Sequence, residues 1–146
     1  MKVSTRVRYG MRLMVNLAAN YRKGQTLLKD IAENEEISEK YLSQIVLLLK
    51  SQGLVNSFRG AKGGYTLAKN PREITLKEIY EAIDGQIELV ECVNDALKCN
   101  RSAKCVTSSL WKSLGAGIAI ILGTTTLNDL AKNVKIESEK QINYCI

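Results

Sequence analysis

Apolar residues in the first third of the chain recur every three or four positions, a spacing typical of amphipathic helices. A first helix is predicted from Thr5 to about Arg22, and a second, short one from Leu27 to about Asn34 with Thr26 as its N-cap. A third begins at Ser38 and ends at Gly53. Two helices joined by a tight turn, the second ending at a glycine, are typical of a helix-turn-helix.

After Gly53 the apolar period shortens to that of a β-strand. The segments 54–59 and 64–68 read as two strands, and the sequence GAKG between them predicts a flexible, basic turn. A hairpin that directly follows a helix-turn-helix is a wing. We therefore predict a winged helix-turn-helix in this part of the chain.

After the hairpin, the sequence predicts a capped helix, an irregular segment and a long apolar helix. Thr75 and Glu78 have capping-box spacing, so a helix should begin there and end at Gly85. A long apolar helix follows from about Ser108, with small residues at 115–117 where another helix could approach. We predict that it pairs two copies of the chain; the alternative is that it forms the centre of the domain's own core.

These elements predict a mainly α fold with a small β-hairpin, a winged helix-turn-helix plus a long dimerisation helix. The expected units are a DNA-binding domain (1–85), a cysteine-bearing loop (86–106), the dimerisation helix with a short final helix (107–134), and a polar, mobile C-terminal tail (135–146).

Charge is unevenly distributed along the 146 residues. The net charge is +6, and residues 1–75 carry 13 Lys and Arg against 6 Asp and Glu, whereas residues 76–146 carry 8 against 9. A basic half of this kind indicates contact with a polyanion. No apolar stretch has the length of a signal peptide or a membrane span, so we expect a cytoplasmic protein without a membrane partner. With no histidine and no nucleophile–base pair, we expect no enzyme.

The third predicted helix has the properties of a helix that reads the major groove. Its first turns present polar side chains while its other face is apolar. Gln44 could bind adenine with two hydrogen bonds, and Arg59 beside glycines at the wing could enter a minor groove. Three arginines of the first helix, Arg6, Arg8 and Arg12, are candidate phosphate contacts. The predicted DNA-binding residues are Arg6, Arg8, Ser38, Lys40, Tyr41, Ser43, Gln44, Arg59, Gly60 and Lys62.

Three of the four cysteines lie in the predicted loop. Cys92, Cys99 and Cys105 have the spacing C-x6-C-x5-C, with Lys98, Arg101 and Lys104 between or beside them. This is not the spacing of a zinc ribbon, which needs closely paired ligands. Thiolates among cations suit a labile iron–sulfur cluster. Redox-reactive thiols, or cysteines with no function, remain open alternatives.

The chain resembles the superfamily of winged-helix regulators that includes IscR, NsrR and CymR, and the IscR-like branch most. The resemblance covers nearly the whole chain and rests on the segments MKVSTRVRYG, LLKDIAENEEISEKYLSQIVLLLKSQGLV, RGAKGGYTLAKNPREITLKEIYEAIDG and TTTLNDLA. It implies a homodimer that pairs through the long helix and binds double-stranded DNA at a pseudo-palindromic operator. Tyr41, Gln44 and Arg59 fall on DNA-contacting positions of the family, whereas Ser43 replaces a carboxylate.

The resemblance also implies an iron–sulfur cluster held by Cys92, Cys99 and Cys105, with [2Fe–2S] favoured over [4Fe–4S]. The chain departs from the family at the fourth ligand. Ser108 stands where one branch has histidine, and the N-terminal residues 5–8 lack the acidic ligand of another branch. The candidates left open are Cys145, Glu91, Asp95 and a non-protein thiol.

Two other functions compete with a cluster-responsive repressor of cluster-biogenesis or stress genes. The C-terminal segment 143–146 resembles the end of the CymR branch, which implies a regulator of cysteine metabolism that senses through a cysteine-synthesis enzyme or thiol oxidation. The other alternative is a cluster carrier without DNA affinity, which would leave the basic half without a purpose.

Overall fold

The structure is a computed structural model that describes residues 2–144, with side chains as far as residue 141. Its helices are α1 (Thr5–Ala19), α2 (Leu28–Glu35), α3 (Glu39–Ser51), α4 (Leu76–Asp84), α5 (Ser108–Thr124) and α6 (Leu127–Tyr144). An antiparallel hairpin, β1 (Val55–Phe58) and β2 (Gly64–Leu67), separates α3 from α4. Three single-turn 3₁₀ helices lie between α4 and α5. The predicted mainly α fold with one small hairpin is confirmed.

Helix α1 is the centre of the packing, since it contacts α3, α4 and α6. Its residues Leu13 and Met14 are fully buried. A Cβ on Gly10 would collide with the side chain of Ile83 and lie 3.2 Å from Cγ2 of Ile45. Glycine therefore lets the backbone of α1 lie directly against α4 and α3 at this point.

The predicted starts of α3 and α4 are confirmed. The Ser38 side chain accepts a hydrogen bond from the backbone N–H of Tyr41. At α4 the backbone N–H of Glu78 donates to Thr75 Oγ1 at 3.2 Å, and the backbone N–H of Thr75 donates to the Glu78 carboxylate at 2.8 Å. Each cap satisfies N–H groups that a helix start leaves without a partner inside the helix.

The predicted N-cap of α2 is wrong. Helix α2 begins after Leu27, and no side chain caps it. The backbone of Thr26 instead pairs with Tyr65 of β2: each N–H donates to the other's carbonyl, at 3.0 and 2.9 Å. Thr26, which the local sequence favoured as an N-cap, therefore forms a long-range β-bridge instead. This bridge connects the hairpin to the segment before α2.

The corner between α5 and α6 is attached to the start of α4. The N–H of Leu76 donates to the Thr125 carbonyl at 3.0 Å, and the N–H of Leu127 donates to the Ile74 carbonyl at 2.8 Å. The N–H of Asn128 reaches the Pro71 carbonyl at 3.1 Å. Leu127 is fully buried in the core. The winged domain and the two last helices are thus joined by backbone hydrogen bonds as well as by packing.

The last helix is longer than the sequence predicted. A short final helix ending by 134 and a polar, mobile tail from 135 were expected, yet α6 continues to Tyr144. Residues 135–144 contain neither glycine nor proline, and five of these ten residues are Lys, Glu or Gln, so their helix propensity is high despite their polarity. Cys145 and Ile146 lie outside the described residues. Among residues 2–144, no helix is both long enough and apolar enough to span a bilayer.

Replacing Glu78 with Gln should destabilise the fold at neutral pH and matter less in acid. Burial alone would raise the pKa of the Glu78 carboxyl, but hydrogen bonds from Thr75 and Lys69 outweigh it and lower the pKa below its ordinary 4.5. Because the folded pKa is the lower one, this stabilisation is complete above 4.5 and is lost as the pH falls through the folded value.

Urea unfolding of wild type and Glu78→Gln at pH 7 and pH 3 measures the effect. The exposed Glu73→Gln is the control, because Glu73 precedes the cap and is not part of it. A destabilisation by Glu78→Gln of the same size at both pH values would contradict the prediction.

Candidate nucleic-acid interface

The first turns of α3 form an exposed polar surface. Ser38, Lys40 and Gln44 are exposed, and Tyr41 is half-buried. All four border a shallow hollow of about 660 Å³. Its complete lining is Thr5, Tyr9, Glu36, Ile37, Ser38, Lys40, Tyr41 and Gln44. The structure thus brings together four of the five residues that the sequence singled out on this helix.

Ser43, the fifth, is placed differently. It does not border the hollow, and its hydroxyl donates to the Lys40 carbonyl at 2.7 Å within the helix. The opposite face of α3 explains why the polar residues point outward, since Leu42, Ile45, Val46 and Leu49 are buried. Sequence periodicity identified this division of the helix correctly.

Tyr41 is held in place by a neighbour that the sequence analysis missed. The Tyr9 ring of α1 meets the Tyr41 ring edge to face, with centroids 5.8 Å apart and planes at 86°. Aromatic pairs favour this geometry because the positive edge of one ring meets the negative face of the other. Tyr9 was not recognised because its partner lies 32 residues away; only its place on the polar side of α1 hinted at a role.

The wing places its predicted residues at an exposed turn. Phe58 pairs with Gly64, so residues 59–63 form the turn, and Arg59, Gly60 and Lys62 are all exposed. Gly60 has a φ of +106°, a conformation that residues with a Cβ rarely adopt. The basic turn that the sequence predicted is therefore present, with Arg59 and Lys62 exposed.

The arginines of α1 are not equivalent. Arg8 is exposed and donates only to Thr5 Oγ1 of its own helix, at 3.2 Å. Arg6 lies 3.4 Å from the Asp84 carboxylate. Arg12 is engaged by Glu35 at the end of α2, with Nε 2.8 Å from Oε2. Of the three, Arg8 is the one whose guanidinium has no acidic partner among the described residues.

The cysteine segment, residues 86–106, holds its three thiols at separate turns. Cys92 lies in the first 3₁₀ helix, Cys99 follows the second and Cys105 follows the third, and each is half-buried with a free thiol. Thiolates near cations are suitable donors for an iron–sulfur cluster. In the described part of the chain, however, no three Cys, Asp or Glu side chains are gathered to hold one metal ion. As placed, the cysteines do not fit a cluster.

Cys105 is distinguished by its hydrogen bond. Its Sγ lies 3.3 Å from Thr107 Oγ1, just before α5. Hydrogen bonding from the side chain and backbone of Thr107 lowers the pKa of the Cys105 thiol below its ordinary 9.0. Because the thiolate is the reactive form, Cys105 should react more readily at neutral pH than this ordinary value implies.

Helix α5 carries an apolar face that the described residues of the chain do not cover. None of its residues is buried, and Leu110, Leu114 and Ile121 are 51%, 42% and 65% exposed. Their spacing of four and seven places them on one side of the helix. Ile118 and Leu122, further round the helix, border a hollow that is also lined by residues of α1, α4 and α6.

A helix-turn-helix with a wing, followed by a separate apolar helix, defines a winged-helix regulator. The chain belongs to the Rrf2 family, described as iron-dependent transcriptional regulators, whose family model matches residues 3–133.

Three relatives show how far the similarity extends. CymR of Bacillus subtilis, an HTH-type transcriptional regulator, is 39% identical over 144 residues, covering 99% of both chains. Its solved structure, that of a global cysteine regulator, matches with a TM-score of 0.76 at 38% identity, over 91% of this chain and 98% of that one.

IscR of Klebsiella pneumoniae is 34% identical over 136 residues, covering 93% of this chain and 83% of its own. The oxidized form of Staphylococcus aureus CymR matches with a TM-score of 0.71 at 38% identity, over 90% of this chain and 96% of that one. The named relatives are transcriptional regulators, not enzymes.

Replacing Thr107 with Val should slow the alkylation of Cys105. Loss of the hydroxyl removes the main hydrogen bond that lowers the thiol pKa, so the pKa rises and less thiolate is present at pH 8. Peptide mass spectrometry after timed iodoacetamide exposure gives the rate at each cysteine. The rates at Cys92 and Cys99 serve as internal references; an unchanged ratio of Cys105 to both would contradict the assignment.

Proposed function

We propose that the chain is a homodimeric transcription regulator, acting as a repressor, that binds double-stranded DNA at a pseudo-palindromic operator. The observation that supports this most is that the polar start of α3 and the basic wing are both exposed, and both lie in the basic half of the chain. A helix of this kind fits the major groove, and a basic hairpin fits the adjacent backbone or minor groove.

Separate roles follow for the residues of this surface. Gln44 is exposed on α3 and can form two hydrogen bonds with adenine, so it is assigned to base reading with Tyr41. Arg59 reaches a groove from the wing. The other polar residues position the protein on phosphates and sugars. These are Arg6, Arg8, Ser38, Lys40, Ser43 and Lys62, and Gly60 contributes through its backbone.

The uncovered face of α5 supports a homodimer. Leu110, Leu114 and Ile121 would remain in water in a single chain, which costs free energy in proportion to the apolar area exposed. A second α5 packed against the same face would cover it in both copies at once. A two-fold pair of α3 helices then matches the two half-sites of a palindrome.

The DNA-binding proposal is tested with a duplex selected for affinity from a random pool. We expect two chains per palindromic duplex, affinity that falls steeply with salt, and a Gln44→Ala variant that loses about 1–3 kcal/mol of discrimination at one base pair. Gln52→Ala, an exposed glutamine at the far end of α3, is the matched control. Salt-independent binding, or equal effects of the two substitutions, would contradict the proposal.

The cysteine segment is the proposed sensor. Its last thiol, Cys105, lies three residues before the start of α5, so a chemical change there acts on the helix proposed to hold the dimer. An iron–sulfur cluster, [2Fe–2S] in preference to [4Fe–4S], is the first candidate signal. It is supported by three thiols among cations and by the family's description as iron-dependent. Since the described thiols are not gathered, the segment would have to rearrange to bind one.

Iron and acid-labile sulfide per chain, measured with the visible spectrum on protein prepared without oxygen, test this candidate. We expect stoichiometric iron and sulfide with charge-transfer absorption in the wild type, and their loss in Cys92→Ala. Ser109→Ala is the control and should retain both. Their absence from the wild type even after reconstitution would exclude the cluster and leave DNA binding intact.

A CymR-like function is the second candidate, favoured by the Cys105–Thr107 hydrogen bond and by a match that spans 99% of the relative's length. Here the signal is thiol oxidation or a cysteine-synthesis enzyme that binds the C-terminus. Pull-down of that enzyme by the wild type but not by a chain lacking Ile146 would support the partner; failure to retain it would leave oxidation of Cys105.

A further inference from the structure

Arg12 forms the only described ion pair between α1 and the end of α2. Its Nε donates to Glu35 Oε2 at 2.8 Å, and its Nη2 donates to the Glu35 backbone carbonyl. The same guanidinium lies 5.7 Å from the centre of the Tyr9 ring. One side chain therefore contacts the side chain and the backbone of the residue that ends α2, and an aromatic ring of α1.

These contacts surround the turn of the helix-turn-helix. Glu36, directly after Glu35, has a φ of +53°, the left-handed region that a Cβ disfavours. The turn must therefore be supported by its surroundings. On one side Ile37 is buried in the core. On the other, Arg12 binds the last carbonyl of α2, a group that a helix end leaves unsatisfied.

The same contacts extend into α3. The Tyr9 ring under the Arg12 guanidinium is the ring that meets Tyr41 at 5.8 Å. Arg12, Tyr9 and Tyr41 thus form a continuous row of contacts from the turn to the polar start of α3. Glu35 completes it by fixing the guanidinium, whose two described hydrogen bonds both go to that residue.

We propose that the Arg12–Glu35 pair is a positioning element that fixes the angle of α3 to α1, and that Arg12 does not bind phosphate. The inference rests on the proposed DNA-binding function. The guanidinium is turned towards Glu35 and Tyr9, and this geometry aligns Tyr41 and Gln44 before DNA arrives. Binding then avoids the cost of ordering these side chains at the moment of contact.

Glu35→Gln separates the two possible roles of Arg12 by the sign of its effect. If Arg12 contacted phosphate, removing a competing carboxylate would strengthen DNA binding. If the pair is a positioning element, removing the Glu35 carboxylate should weaken DNA binding instead. Glu35→Gln and Arg12→Gln should each weaken binding to the selected duplex by about tenfold, the scale of one lost charge-assisted hydrogen bond. The double variant should be no weaker than either single one.

Arg22→Gln is the matched control. Arg22 is also an arginine whose guanidinium lies over a tyrosine, 5.4 Å from the Tyr21 ring, but it lies beyond the far end of α1. The Arg22→Gln substitution removes the same charge without altering the turn between α2 and α3. The slope of log affinity against log salt should be the same for Arg12→Gln and Arg22→Gln. A slope reduced by about 1 in Arg12→Gln alone would mark a phosphate contact and overturn the inference.

Hydrogen exchange on the free protein tests the same inference without DNA. Amides of residues 36–41 should exchange faster in Arg12→Gln and Glu35→Gln than in wild type or Arg22→Gln, because the turn loses its support. Unchanged exchange there would overturn the positioning role. If the free protein shows this change but wild type binds no duplex, the proposed function fails while the structural role of the pair stands.

Discussion

At Gly10 the backbone of α1 lies against Ile83 of α4 and Ile45 of α3 with no room for a side chain. This close approach sets the distances among three helices of the winged domain. Because α3 carries the proposed DNA-reading residues on its outer side and Ile45 on its inner side, the depth at which Ile45 packs also determines how far those residues project. The core and the exposed surface of α3 are therefore controlled by one contact.

Long-range backbone hydrogen bonds attach the hairpin to the rest of the winged domain. The hairpin contains only four residues in each strand, and two-stranded hairpins are marginal on their own. Pairing of Thr26 with Tyr65 adds a third extended segment beside β2. The wing is thus anchored at its base while residues 59–62 of its turn stay exposed. Rigid attachment and a free basic turn are both needed by a wing that reaches along DNA.

Sequence reasoning succeeded where the deciding interaction is local. The caps at Ser38 and Thr75 each use a partner three residues away, so the residue types alone reveal them. It failed at Thr26, whose backbone pairs with a residue 39 positions later. The continuation of α6 was missed for another reason: polarity was taken as a sign of disorder, although lysine and glutamate are good helix formers.

In the candidate DNA-binding surface too, the sequence revealed the features that depend on local interactions and missed those that depend on long-range contacts. Periodicity placed Lys40, Tyr41 and Gln44 on the exposed side of α3, because the buried residues of that helix are close in sequence. The Arg12–Glu35 pair joins residues 23 positions apart, so no local sequence pattern predicts it. Three cysteines close together among cations, and the family resemblance, predicted a shared iron–sulfur cluster. Closeness in sequence does not set the direction of side chains in an irregular segment, and the three thiols lie at separate turns.

The corner where α5 meets α6 gives the molecule the mechanics of a lever. Three backbone hydrogen bonds and the buried Leu127 fix this corner to the winged domain. The 17 residues of α5 extend about 25 Å from it, with Cys105 just beyond the far end. A tilt of about 10° at the fulcrum therefore corresponds to roughly 4 Å of travel at the cysteine end. In the proposed homodimer, such a tilt would change the separation of the two α3 helices relative to half-sites that lie roughly 34–36 Å apart, one turn of DNA.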